Sequence, residues 1–97
     1  MQARQGDLLI VKVHALPADC IKRSHRVLAE GELTGHKHEL DLGQVYEREG
    51  TIFFHVPQEL NAILRHDEHG PITLMPGFYR VIRQREYDRS GWRSIAD

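Results

Sequence analysis

The stretch Gly31–Leu42, GELTGHKHELDL, decides how the chain is read. From His36 onward its residues alternate, with His36, His38, Leu40 and Leu42 on one parity and Lys37, Glu39 and Asp41 on the other. Successive side chains of a strand point to opposite faces, so the pattern predicts a half-buried β-strand that carries two imidazoles on its apolar face. Gly43 closes the strand, and Thr34-Gly35 permits a bend or bulge just before the histidines, where strands re-aim side chains next to a site.

Working outward, the flanking segments are short and β-rich. Asp7–His14 reads as a first strand, with Leu8 to Val11 buried on both faces, and Arg26–Glu32 as a second. Gln44–Arg48 and Thr51–Val56 flank the turn signal Glu49-Gly50 and predict a hairpin whose second arm buries Ile52, Phe54 and Val56. Gln58–Arg65, QELNAILR, fits a short helical turn or a strand equally well. Ile72–Leu74 is brief, and Phe78–Tyr87 is the longest expected strand, with Tyr79, Val81 and Arg83 on one face. Asp88–Gly91 turns the chain into a last strand, Trp92–Ala96. Seven to nine short strands punctuated by Gly or Pro, on a chain of 97 residues, predict one all-β domain over residues 1–97. The expected form is a small barrel or a sandwich of the jelly-roll kind, with at most one short helix.

Composition narrows the partners. The net charge of -1 is unevenly spread: residues 27–77 hold three Lys or Arg against nine carboxylates and five of the seven histidines, while both ends are basic. An acidic, histidine-rich middle favours a cation as ligand. No apolar run approaches the roughly 18 residues of a membrane span, and MQARQGD lacks the apolar core of a signal peptide. A single Cys20 has no second cysteine to pair with, so a cytoplasmic protein is expected, with no membrane partner.

Imidazole ligates Zn, Fe, Ni and other transition metals, and a His-x-His pair on one strand brings two ring nitrogens toward one point. A second cluster, His66-Asp67-Glu68-His69, precedes Gly70-Pro71. The expectation is that His36, His38, His66 and His69 converge on a divalent transition metal, Zn, Fe, Ni or Mn. A carboxylate from Glu68, Glu39 or Glu30 is the alternative to a fourth imidazole, with Glu39 disfavoured by its parity. His14, His25 and His55 read as structural or surface residues.

GELTGHKHELDL, followed by Glu47 or Glu49 and then Gly50, resembles the first cupin motif, and Gly70 through Met75-Pro76-Gly77 is similar to part of the second. Cupins are β-barrels with metal-binding histidines, so the resemblance implies His36 and His38 as ligands. No His follows Pro76-Gly77, so the later ligand would come from His66 or His69. The chain also resembles small uncharacterised proteins of bacterial and phage type. These combine a TGHxH element, here Thr34 to His38, with an HxEHxPI element, here His66 to Ile72, and an arginine-rich QREY strand. That resemblance implies no established activity.

Arg80, Arg83, Arg85, Arg89 and Arg93 crowd the C-terminal segment among Tyr79, Tyr87 and Trp92. Arginine interleaved with aromatics suits phosphate and base stacking, whereas Glu86 and Asp88 offer the plainer outcome of a solvated, self-paired face. Two functions are therefore expected as alternatives. One is a small metal-binding protein, with Glu68 as general base or ligand if the centre is catalytic. The other is a noncatalytic adaptor that meets a protein or nucleic acid through Arg80, Arg83, Arg85, Arg89 and Trp92, any metal being structural. Unpaired sheet edges also admit a homodimer. No Ser-His-Asp pattern, phosphate-cradling Gly loop or dinucleotide fingerprint suggests other chemistry.

Overall fold

The computed structural model of the protein describes residues 2–31, 35–88 and 91–94, with 85–88 and 91–94 described as backbone. Among these residues there are twelve strands and no helix: β1 (Gln2–Gln5), β2 (Leu8–Val13), β3 (Ile21–Lys22), β4 (Val27–Glu30), β5 (Lys37–Leu40), β6 (Gln44–Arg48), β7 (Thr51–Val56), β8 (Ala62–Arg65), β9 (Ile72–Leu74), β10 (Gly77–Arg83), β11 (Arg85–Asp88) and β12 (Gly91–Ser94). Among the described residues no helix is long and apolar enough to cross a membrane.

The strands form two main antiparallel sheets, a six-stranded one in the order β1-β2-β10-β7-β6-β3 and a four-stranded one in the order β4-β5-β8-β9. The hairpin β11-β12 is a separate two-stranded sheet. One apolar cluster joins the two main sheets. Leu8, Ile10, Val45, Phe54, Val56, Tyr79 and Val81 come from the first, and Leu28, Leu40, Ala62, Leu64 and Leu74 from the second. Burying one face of each sheet against the other is the sandwich solution to covering apolar surface. Neither sheet closes on itself among the described residues, so the architecture is the sandwich of the two expected forms.

Local chemistry accounts for the elements. Arg48 pairs with Thr51 across Glu49-Gly50, both at positive φ (50° and 82°), which is the two-residue turn that matches strand twist. In β7, Phe54 and Val56 are fully buried as their parity predicts. Phe54 stacks on Tyr79 across the sheet, with ring centroids 4.8 Å apart.

Three expected boundaries move. Gln58–Arg65 resolves into a turn followed by β8, because Ala62 and Leu64 alternate into the core, and eight residues do not sustain an isolated helix. The expected strand Asp7–His14 is β2, trimmed to Leu8–Val13, and is preceded by β1, which was not expected, with Asp7 in the turn between them. The long C-terminal strand divides at Gln84, whose N–H leaves the ladder and donates to the Asp7 carbonyl.

Candidate metal centre

At one end of the sandwich the two sheets meet through polar side chains instead of apolar ones. From the six-stranded sheet come Gln5, Gly6 and Asp7. Gln5 pairs with Leu8, which leaves Gly6-Asp7 as a two-residue loop with positive φ (58°) at Gly6, the position where glycine is favoured in a type II′ turn. Arg83 pairs with Leu8 in the β10–β2 ladder and so ends beside Asp7, which accepts a 2.8 Å hydrogen bond from its Nε. Arg83 shares the inward parity of Tyr79 and Val81, as the sequence suggested.

The histidines come from the four-stranded sheet. In the β5–β8 ladder Glu39 faces Arg65 and Leu40 faces Leu64. Continued beyond Glu39, the same register carries His38 opposite His66 and His36 opposite Glu68. The side chains follow: the His38 and His66 rings lie 4.2 Å apart, and His36 Nδ1 is 3.2 Å from Glu68 Oε1. His69 joins from the β8–β9 loop, its ring 4.7 Å from that of His66 and 6.4 Å from that of His38. His36 completes the group at 5.6 Å from His66. The four imidazoles therefore cluster. Across from His38, the β4 strand bulges between Val27 and Ala29, a local irregularity of the kind found beside sites.

His38 is fully buried, and its surroundings place a proton on Nδ1. The amide nitrogen of Gln5 donates to two carbonyls, Leu64 O and Gly70 O, each at 2.9 Å. The amide oxygen must then be the atom 2.9 Å from His38 Nδ1, and an oxygen can only accept. His38 therefore carries a proton on Nδ1 and turns Nε2 to the other side, where Asp7 Oδ1 lies 3.7 Å away. A histidine whose far nitrogen donates to a fixed oxygen is the usual arrangement of a metal-ligating imidazole.

His66 is held the opposite way. Its Nδ1 accepts from the backbone N–H groups of Glu68 (3.0 Å) and His69 (3.2 Å), so the neutral ring keeps its proton on Nε2. His69 Nε2 is buried with no hydrogen-bond partner among the described residues. It looks onto Gly6, where an added Cβ would come within 2.7 Å of it and within 3.4 Å of His38 Cε1. As placed, the rings of His38 and His69 stack with an interplanar angle of 11°, and among the described residues no three His, Cys, Asp or Glu side chains share one ligation point.

Beside this cluster, and sharing His66 with it, a cleft of about 580 Å³ is lined by Gly35, Lys37, Glu39, Arg65, His66, Asp67 and Pro71. Glu68 is half exposed and faces His36, so it can orient that ring. Glu30 ends β4 and is exposed, and Glu39 is exposed on the parity opposite His38. Of the expected partner-binding residues, Arg80 is exposed on β10 and Arg83 is committed to Asp7. Arg85 and Trp92 lie on the hairpin backbone, Trp92 opposite Tyr87, and Arg89 lies outside the described residues. His55 stacks on Phe78 across the ladder, and His25 accepts from the Val27 N–H, both structural roles as expected.

Sequence reasoning missed Gln5, Gly6 and Asp7 as parts of the site. The Gly-Asp pair between β-rich runs was a hairpin signal that would have placed them at a turn, though not against the histidines. No curated protein and no solved structure matches the chain. A family model described as a domain of unknown function, DUF8820, matches residues 4–84. That span takes in Gln5, Asp7, all four clustered histidines and Arg83, and stops before the C-terminal hairpin. The chain belongs to the DUF8820 family.

Proposed function

We propose that the imidazole cluster binds one divalent transition-metal ion (Zn, Fe, Ni or Mn) through His36, His38 and His69, with His66 the fourth ring of the group. The observation that carries this reading is His69 Nε2, a buried polar atom with no hydrogen-bond partner among the described residues. Such an atom costs about 1–3 kcal/mol, and an ion accounts for it. The proton that Gln5 holds on His38 Nδ1 supports the same reading, and the missing Cβ of Gly6 is what lets His69 Nε2 pack beside His38. Binding requires the stacked rings of His38 and His69 to rotate toward a common point, a side-chain change without rearrangement of the strands. The likeness to cupins is then one of ligand strand, Gly-His-x-His, and not of a closed barrel. A cytoplasmic setting fits the free Cys20.

Elemental analysis of protein purified without a histidine tag tests the proposal. About one equivalent of a transition metal is expected in the parent, and large losses in His36→Ala, His38→Ala and His69→Ala. Less than about a tenth of an equivalent in the parent, with variants melting as it does, sinks it. A centre with an open position would suit a small metalloenzyme, with Glu68 holding His36, whereas a closed shell would be structural.

A second reading concerns the hairpin. Because β11-β12 forms its own two-stranded sheet among the described residues and lies beyond the family match, we propose that it is an appended contact element for a protein or nucleic-acid partner. Replacing Arg85 together with Arg80 is expected to weaken binding to an RNA or DNA oligonucleotide at low salt, and unchanged binding counts against it.

A further inference from the structure

The segment Lys-Arg-Ser-His-Arg, residues 22–26, carries the chain from the six-stranded sheet to the four-stranded one. It is tied down on both sides. The Arg23 N–H donates to the Val45 carbonyl at 2.7 Å. Arg26 is joined to Leu40 twice, its carbonyl accepting the Leu40 N–H at 2.9 Å and its Nε donating to the Leu40 carbonyl at 3.2 Å. Residues 22–26 and 43–45 bound a cavity of about 280 Å³, and all five loop residues are exposed, so it opens to solvent. Gly43, at a φ of 108°, lies where an added Cβ would meet the His55 carbonyl oxygen at 2.7 Å, so that wall is held against the backbone of β7.

Every side chain that the loop contributes is a hydrogen-bond donor, and among the described residues no carboxylate lines the cavity. Arg26 uses Nε for Leu40, so what it presents is the pair of terminal NH2 groups, whose fork matches phosphate oxygens. His25 accepts the Val27 N–H on Nδ1 at 3.2 Å, which puts the proton of the neutral ring on Nε2, away from that backbone. Arg23 pairs with Glu47, which is not part of the lining. One of the three cations Lys22, Arg23 and Arg26 is thus offset, and the cavity stays locally positive on a chain whose net charge is -1.

Size and lining select the ligand. The cavity stands just below the roughly 300–1,000 Å³ of small-molecule pockets, which suits one tetrahedral oxyanion with a short organic group. Among the described residues no aromatic ring lines it, whereas grooves for single-stranded nucleic acid interleave cations with rings that stack on bases.

We propose that the loop binds a small phosphomonoester, its phosphate held by Lys22, the His25 Nε2–H and the Arg26 fork, with the Ser24 hydroxyl as a further donor. The site is independent of the histidine cluster and of any metal there, and it lies inside the span that matches the family.

Amide NMR of the full, tag-free chain at neutral pH and fixed ionic strength tests this, with inorganic phosphate, glycerol phosphate, sodium chloride and a single-stranded oligonucleotide as probes. Phosphate and glycerol phosphate are expected to shift the amides of residues 22–26 and 43–45 saturably, and chloride to leave them in place. Lys22→Gln and Arg26→Gln should each weaken binding about fivefold or more. Arg26→Lys, which keeps the charge but not the fork, should fall between the parent and Arg26→Gln. Arg48→Gln, which removes an exposed cation of β6 outside the cavity, should bind as the parent does. If Arg26→Gln fails to fold for want of its bond to Leu40, Lys22→Gln decides in its place. Equal shifts with chloride, or phosphate shifts at residues 36–38 and 66–69 in place of the loop, overturn the proposal. An oligonucleotide that moves the loop amides while glycerol phosphate does not also overturns it, because the loop is then a nucleic-acid backbone contact.

Discussion

Gln5 serves both sheets at once. Its amide nitrogen ties β1 to Leu64 and Gly70 of the four-stranded sheet, and its oxygen sets the proton on His38. The two roles separate by mutation. Gln5→Glu keeps an acceptor for His38 but loses both N–H donors, so unfolding free energy should fall by about 2–3 kcal/mol, measured by urea titration. A change within error would mean that the two carbonyls are satisfied otherwise. Gly6 is the other residue with no tolerance. A Cβ there meets His69 Nε2 at 2.7 Å on a backbone with φ of +58°, so Gly6→Ala suffers both a clash and a left-handed conformation worth on the order of 1 kcal/mol. It should lower stability and displace His69, seen on cobalt(II) loading as a lost or altered visible spectrum. A parent-like spectrum would show that His69 does not depend on that space.

At the scale of elements, β10 carries two buried commitments. Its inner face brings Arg83 to Asp7, a carboxylate with no solvent exposure. Arg83→Met takes the guanidinium away from that buried carboxylate and is expected to cost about 3 kcal/mol, whereas Asp7→Asn combined with Arg83→Met should recover part of the loss, a double-mutant cycle that reads the pair directly. Additive losses would mean that the pair is not coupled. Near the other end, Tyr79 donates to the Met75 carbonyl at 2.6 Å, and burial raises its phenol above the ordinary 10.0. A raised folded value favours the neutral form, so this stabilisation is complete below the unfolded value and is lost as pH climbs from about 10 toward the raised one. Tyr79→Phe should be less stable at pH 8 by about 1 kcal/mol and show a shallower alkaline decline; parallel declines would assign the loss to other groups. Much of this level was legible. The period-two pattern of His36–Leu42 put His38 inside, and the parity of Tyr79, Val81 and Arg83 was correct, because alternation is a local property of strands. The pairing of β5 with β8 was not legible, since strand register is set by contacts distant in sequence. Gln5 and Asp7 passed for ordinary polar residues near the N-terminus for the same reason: only the second sheet gives them partners.

For the whole molecule, the span shared with the family and the span that packs as a sandwich coincide closely. Both end near Gln84, beyond which, among the described residues, β11-β12 adds no strand to either main sheet. A chain truncated after Gln84 is therefore expected to melt within about 4 °C of the full chain and to bind cobalt equally; a larger drop would show that the hairpin supports the core. The sandwich also has an asymmetry with kinetic meaning. β1 is four residues long, stands at the sheet edge and, among the described residues, pairs with β2 alone, yet it ends in Gln5 and leads directly into Gly6. Short edge strands are among the first parts of a fold to open, with a free energy far below that of global unfolding. When β1 frays, Gln5 leaves His38 and Gly6 uncovers His69, while the sheet that carries the imidazoles stays folded. The residence time of anything held there should thus follow the opening of one short strand. Amide exchange in Gln2–Gln5 should run faster than in β10 and should slow when the site is filled.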